Sequence, residues 1–78
     1  MKKTPANINL LPVHVKAYRF VEKYIEKNIV SPEMSEISKA IDVTVRHTYR
    51  IIDELEILGY LKRKGNVARS VKIAKPLK

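Results

Sequence analysis

The sequence predicts one small α+β domain, mostly α, in which three helices are followed by a C-terminal β-hairpin. Apolar residues recur at helical spacing over residues 11–58, and the pattern then changes to the polar–apolar alternation that is typical of strands. The chain has 78 residues, which is enough for one domain and too few for two. We expect the domain to span residues 11–75, preceded by an extended N-terminal arm (1–10) and followed by a tail (76–78).

The first helix is predicted to run over residues 12–28, starting at a proline. Its apolar residues form two neighbouring stripes, one that includes Tyr18 and Val21 and one that includes Val13 and Phe20. Together they cover an arc too wide for a surface helix, so we expect the core to cover this helix on two sides. A dimer seam along the second stripe is the alternative.

The second helix is predicted to follow the Ser31–Pro32 pair and to end near Ile41. Proline disfavours helical angles in the residue before it and suits the first position of a helix. Ser31 is therefore the predicted N-cap. Asp42 and Val43 are expected to form the tight turn that follows.

A third helix is predicted over residues 44–58, with Thr44 as its N-cap and Gly59 as its stop signal. When the apolar residues of this helix face the core, Arg46 and Arg50 point the opposite way. Ile57 also points outward, and we expect the hairpin to fold over it; an interface is the alternative.

The exposed face of the third helix has the chemistry of a DNA-reading surface. A guanidinium can donate two hydrogen bonds to guanine O6 and N7, and a helix N-terminus can hold a phosphate. An ordinary solvated face would show the same arginines, so this alternative stays open. We expect Asp53 to orient Arg50 or Arg46 through a salt bridge. The residues of this helix predicted to contact DNA are Thr44, Val45, Arg46, His47, Tyr49 and Arg50.

The hairpin is predicted to consist of residues 60–64, a turn at Gly65–Asn66, and residues 69–73. It is basic and contains no acid, which suits contact with a DNA backbone or a minor groove. Protection of an edge strand by lysines is the alternative explanation. The hairpin residues predicted to contact DNA are Lys62, Arg63, Lys64, Asn66 and Arg69.

The charge distribution favours a polyanion, here double-stranded DNA, as partner. The net charge is +8, and all eight acids lie within residues 22–56, which leaves both ends of the chain purely basic. There is no cysteine and no apolar run of the roughly 20 residues that span a membrane. We therefore expect a protein of the reducing cytoplasm of a prokaryotic cell, associated with the nucleoid and not with a membrane.

Catalysis is not expected. His14 and His47 lie on different predicted helices with no carboxylate cluster beside them, so no metal site is predicted. No nucleophile has both a base and an oxyanion hole in a domain of this size, and no glycine-rich phosphate loop is present. The sequence predicts no enzyme, no cofactor and no metal.

Residues 17–25 (AYRFVEKYI) resemble the first helix of the LexA-type repressor DNA-binding domain, and residues 31–41 (SPEMSEISKAI) resemble its proline-led second helix. Residues 43–61 are similar to the pattern of winged helix-turn-helix regulators in bacteria. The resemblance covers roughly residues 11–73. It implies that residues 44–50 contact bases and phosphates and that residues 62–69 form the wing. Asp42 departs from the glycine often found there. We expect no self-cleaving domain like that of those repressors.

The predicted function is that of a sequence-specific DNA-binding transcriptional regulator, and by resemblance a repressor. A domain of this size suits a compact regulator from a phage, a plasmid or another mobile element. One domain reads one half-site, so we expect a homodimer on a repeated operator, with half-sites about one helical turn apart. The alternatives are a winged helix that binds proteins, as an adaptor or an inhibitor of a host complex, and a DNA-binding accessory factor for replication or excision.

Overall fold

The computed structural model describes residues 10–65, 67 and 69–77. Within them the chain forms α1 (Pro12–Asn28), α2 (Met34–Ile41), α3 (Val45–Ile57), β1 (Leu61–Lys62) and β2 (Lys72–Ile73). The predicted mostly helical α+β class, a winged helix-turn-helix with a C-terminal hairpin, is confirmed. The predicted arm, apart from Leu10, lies outside the described residues, and so does Asn66.

Helix α1 begins and ends where the sequence predicts. Pro12 occupies its first turn, and His14 takes the place of a polar cap because its Nδ1 accepts the backbone N–H of Leu11 at 2.9 Å. Tyr18 and Val21 are fully buried, and Val13 is among the partly buried residues packed against the core. The main face of α1 therefore belongs to the core, as expected.

Helix α2 begins at Met34, two residues later than predicted, and the prediction that Ser31 is its N-cap is wrong. Glu33 occupies the N-cap position, and its backbone N–H donates to Glu36 Oε1 at 2.7 Å. This contact gives a backbone N–H at the start of the helix its hydrogen-bond acceptor, so the Ser31 hydroxyl is not needed there. The helix ends at Asp42, whose left-handed backbone (φ 60°, ψ 49°) makes the predicted tight turn.

Helix α3 follows that turn with the predicted cap. Thr44 Oγ1 accepts the backbone N–H of His47 at 3.0 Å. The helix stops at Gly59, which adopts φ 88°, while the N–H of Tyr60 donates back to the carbonyl of Leu55 at 2.9 Å. The buried side chains of α3 are Thr48, Ile51, Ile52 and Leu55.

The hairpin packs its apolar side against the helices. β1 and β2 are antiparallel, with Leu61 opposite Ile73, and Leu61 and Val71 are buried. Leu77, in the segment expected to be a tail, also lies in the core. Ile57 stays 47% exposed among the described residues, so the expectation that the hairpin covers it is wrong. No helix in the described part of the chain is long and apolar enough to cross a membrane.

Candidate nucleic-acid interface

The first two turns of α3 present the predicted reading residues together on one exposed surface. Arg46, His47, Tyr49 and Arg50 are all exposed, and Val45 is 42% exposed. The guanidinium of Arg46 forms no ion pair with any residue that the structure describes. This surface can therefore offer cationic and hydrogen-bonding groups to an external polyanion.

Arg50 makes one long ionic contact, with Glu54 on the same helix. Its side chain is 78% exposed, and its Nε lies 3.7 Å from Glu54 Oε2, one helical turn further on. The other oxygen of Glu54 lies 2.7 Å from Nε2 of His14, which is 2% exposed. Because the N–H of Leu11 donates to Nδ1 of this histidine, the ring proton of its neutral form sits on Nε2 and is donated to Glu54. Glu54 thus links the core of α1 to the reading surface.

Asp53 does not orient either reading arginine, so that prediction is wrong. Its carboxylate binds Arg63, which also lies 3.5 Å from Glu56 through its Nε. The side chain of Arg63 is only 16% exposed, and its guanidinium stands 5.3 Å from the ring centroid of Tyr49. Arg63 follows β1 directly, which places it alongside the outer face of α3, where it meets both carboxylates. Arg63 fastens the wing to α3.

Arg69 makes a second fastening, at the other side of the wing. Its Nη1 donates to the carbonyl of Ser31, to the hydroxyl of Tyr24 and to Glu36 Oε1, each at 3.1 Å, and its Nε lies 3.7 Å from Glu33. Its backbone is left-handed, with φ 55°. The predicted wing residue therefore points back to α1 and α2.

The electrostatics of this second fastening agree with its geometry. The backbone N–H of Glu33 holds the pKa of the Glu36 carboxyl below its ordinary value, with further lowering from the Tyr24 hydroxyl and from Arg69, against the opposing effect of desolvation. The hydrogen bond with Tyr24 and the nearby Glu36 charge raise the pKa of Arg69. The pair is charged under ordinary conditions.

The lysines of the wing face outward instead. Lys62 and Lys64 are exposed, and the backbone N–H of Lys64 donates to Ser70 Oγ at 3.0 Å, which closes the loop. Gly65 adopts φ 51°, the left-handed conformation that the predicted turn requires. The structure thus divides the predicted wing residues into outward lysines and inward arginines, while Asn66 lies outside the described residues.

A groove of about 300 Å³ separates the start of α3 from the wing. Its apolar lining includes Met34, Val45, Tyr49 and Val67. Sequence reasoning missed this groove and the acids that fasten the wing. The one signal for the fastening is the pair Asp53 and Glu56, which stand three residues apart on α3 and share a face.

Within the residues that the structure describes, no group of three metal-ligating side chains comes together. His14 is buried in the fold.

The fold, the short turn between α2 and α3, and the exposed cationic start of α3 define a winged helix-turn-helix domain. The comparisons agree. Over 63 residues, or 81% of its length, the chain is 33% identical to the LexA repressor of Thermotoga maritima. It is 34% identical over 59 residues to the LexA repressor of Thermotoga neapolitana and 33% identical over 58 residues to that of Erythrobacter litoralis. The predicted resemblance to the LexA-type DNA-binding domain is confirmed.

The similarity is confined to one part of those repressors. The chain spans 32% of the length of the Thermotoga maritima protein and 25% of that from Erythrobacter litoralis. A scan against models of protein families finds no match.

Proposed function

We propose that this chain is a sequence-specific double-stranded DNA-binding transcriptional regulator, acting as a repressor, with α3 in the major groove. The observation that carries the proposal is the exposed pair Arg46 and Arg50, one turn apart at the start of the helix that follows the turn. The name of its relatives, LexA repressor, supports the same class.

The geometry of α3 suits direct readout of bases. Residues four apart on a helix lie on one face about 6 Å apart along the axis, close to the spacing of two base-pair steps. Each arginine can donate two hydrogen bonds to a guanine edge, and each such contact discriminates by ~1–3 kcal/mol. Thr44 and the backbone N–H groups of the first turn can meet a phosphate next to that edge.

The wing lies beside α3 and carries its exposed cations at Lys62 and Lys64. Phosphate contacts from such lysines position a protein on the duplex and carry no sequence information of their own. We place the wing on the backbone or in the adjacent minor groove. Arg63 and Arg69 serve this placement indirectly, because their ion pairs fix the wing relative to the helices.

One copy of this domain reads one half-site. We propose that two copies bind a repeated operator in the cytoplasm, on the nucleoid of a prokaryotic cell, with half-sites about one helical turn apart. Occlusion of a promoter then requires no covalent chemistry by this domain.

The test combines binding-site selection with charge reversal. The protein is used to select sequences from a random DNA pool at two salt concentrations, and the recovered site is titrated with Arg46→Glu/Arg50→Glu. We expect a recovered motif and a loss of affinity of about 100-fold or more, because two bidentate contacts are replaced by repulsion. The matched control is Lys16→Glu/Lys23→Glu, which makes the same charge change at two exposed positions of α1 and should keep most of the affinity.

Three outcomes would contradict the proposal. Equal affinities of the two charge-reversed variants would remove α3 from the interface. Failure to recover any motif, with a salt slope near −0.9 per neutralised phosphate, would indicate nonspecific binding. No binding to DNA at all would favour the alternative that the domain binds proteins.

A further inference from the structure

We propose that Val45 and Tyr49, named here the apolar edge of α3, read the 5-methyl groups of thymines in the operator. This inference rests on the proposed function and specifies which bases lie beside the wing. The apolar edge would make Val45 and Tyr49 specificity-determining residues, next to the hydrogen-bonding pair Arg46 and Arg50.

The hydrophobic core does not use the apolar edge. Val45 is 42% exposed and Tyr49 is 44% exposed, and neither belongs to the hydrophobic core. A β-branched residue also has a lower helix propensity than most straight-chain residues. Two exposed apolar side chains one turn apart, on the turns that carry the reading arginines, are therefore better explained by contact with a ligand.

The Tyr49 ring is held in place before any DNA arrives. Arg63 stands 5.3 Å from the ring centroid, and Asp53 and Glu56 hold that guanidinium. A cation over a ring face favours one ring position by about 0.5–1 kcal/mol at exposed sites. Contacts made by such a preorganised side chain lose less conformational entropy on binding.

The groove beside the apolar edge fits a methyl group on a base edge. It holds about 300 Å³ and lies between the starts of α2 and α3 and the wing. Met34 and Val67 line its apolar part, and the paired charges of Glu33, Arg63 and Arg69 line the rest. The adjacent exposed cations favour a polyanion as the occupant, and a base edge enters with its backbone. Among the unmodified bases, only thymine presents an apolar group in the major groove.

The test replaces thymines of the selected site by deoxyuridine, one position at a time. This change removes a methyl group and keeps base pairing. At one or two positions beside the wing we expect the affinity to fall about three- to fivefold, the effect of exposing one buried methyl group. With Val45→Ala or Tyr49→Ala, the penalty at one of those positions should shrink towards onefold.

Ile57→Ala is the matched control. Ile57 lies on the same helix, is exposed to a similar extent (47%) and does not line the groove, so this variant should keep the full deoxyuridine penalty. Circular dichroism and thermal unfolding check the fold of each variant.

The inference is overturned if no thymine in the selected site responds to deoxyuridine, or if the site contains no thymine beside the wing. It is also overturned if Ile57→Ala removes the penalty as fully as Val45→Ala does. In each of these cases Arg46→Glu/Arg50→Glu would still abolish binding, and the proposed function would stand. If the proposed function itself were wrong, the result would be different: no motif would be recovered, and charge reversal of Arg46 and Arg50 would not change the affinity for DNA.

Discussion

The start of α3 and the wing are both basic, yet their arginines do different work. Arg46 and Arg50 extend from α3 towards solvent, and among the residues that the structure describes their one ionic contact is that of Arg50 with Glu54, at 3.7 Å. Arg63 and Arg69 turn inward and bind carboxylates of α3 and α2. The cations of α3 are available to a ligand, whereas the two arginines of the wing are already used by the fold.

This difference shows that a stretch without acids in the sequence need not be free of acids in space. The segment 57–78 contains seven basic residues and no acid, which suggests a uniformly cationic wing. Folding brings it against Glu33, Glu36, Asp53 and Glu56, all from the central segment. The outward positive charge of the described wing is therefore carried mainly by lysines.

The largest effect that separates the two regions should come from Arg46→Ala compared with Arg63→Ala. Arg46→Ala should lower DNA affinity about 10- to 100-fold through loss of a base contact and change the free energy of unfolding by less than about 0.5 kcal/mol. Arg63→Ala should lower the free energy of unfolding by about 1–2 kcal/mol, because it leaves two carboxylates without their partner. Urea unfolding and titration with a labelled operator measure the two quantities.

Lys62→Ala serves as the control for this pair, since Lys62 is exposed and adjacent to Arg63. Its stability should stay unchanged, and its plot of log K against log salt should be less steep by about 0.9. If Arg63→Ala instead kept full stability and lost affinity as Arg46→Ala does, the two regions would not differ as argued.

A smaller effect should follow from loosening the second fastening. Arg69→Ala removes the contacts with Tyr24, Ser31 and Glu36, so the wing should open more often while the helices stay folded. Amide hydrogen exchange at Lys64 and Ala74, which donate hydrogen bonds inside the hairpin, should become roughly tenfold faster.

Arg69→Lys should restore part of the protection, because lysine keeps the charge and loses the planar fork. Lys72→Ala, an exposed change in the same hairpin, should leave the exchange rates unchanged. Equal rates in the wild type and Arg69→Ala would show that the wing does not depend on this arginine.

The sequence was sufficient for those parts of the fold that short-range signals determine. Pro12 fixes the start of α1, Thr44 caps α3, and Gly59 ends it, each through contacts within a few residues. The cap of α2 was mispredicted because Ser31 is a typical capping residue and Glu33 is not. The hydrogen bond from the Glu33 backbone N–H to Glu36 Oε1 favours the later start.

The part of the candidate site that lies on α3 could be predicted from the helical periodicity of the sequence. That period places Arg46 and Arg50 outside, and the structure agrees. It cannot reveal that Arg63 meets a carboxylate ten residues away or that Arg69 meets one 33 residues away. Such partners depend on how the hairpin packs against the helices, and no local pattern encodes that arrangement.

The smallest expected effect is a pH dependence of the second fastening. The folded pKa of Glu36 is lowered, so its contribution to stability is complete above the ordinary value of 4.5 and is lost as the pH falls through the lower folded value. Wild-type stability should therefore decline as the pH falls below about 4.5, with uptake of up to one proton at this site on unfolding.

Glu36→Gln should be less stable near neutral pH, because the charge facing Arg69 is gone, and should show a shallower decline in acid. Urea midpoints measured across this range test the expectation, with Glu26→Gln, an exposed carboxylate of α1, as the matched change. If Glu36→Gln followed the wild-type pH curve throughout, the fastening would not depend on the charge of Glu36, and Arg69 would hold the wing mainly through Tyr24 and the Ser31 carbonyl.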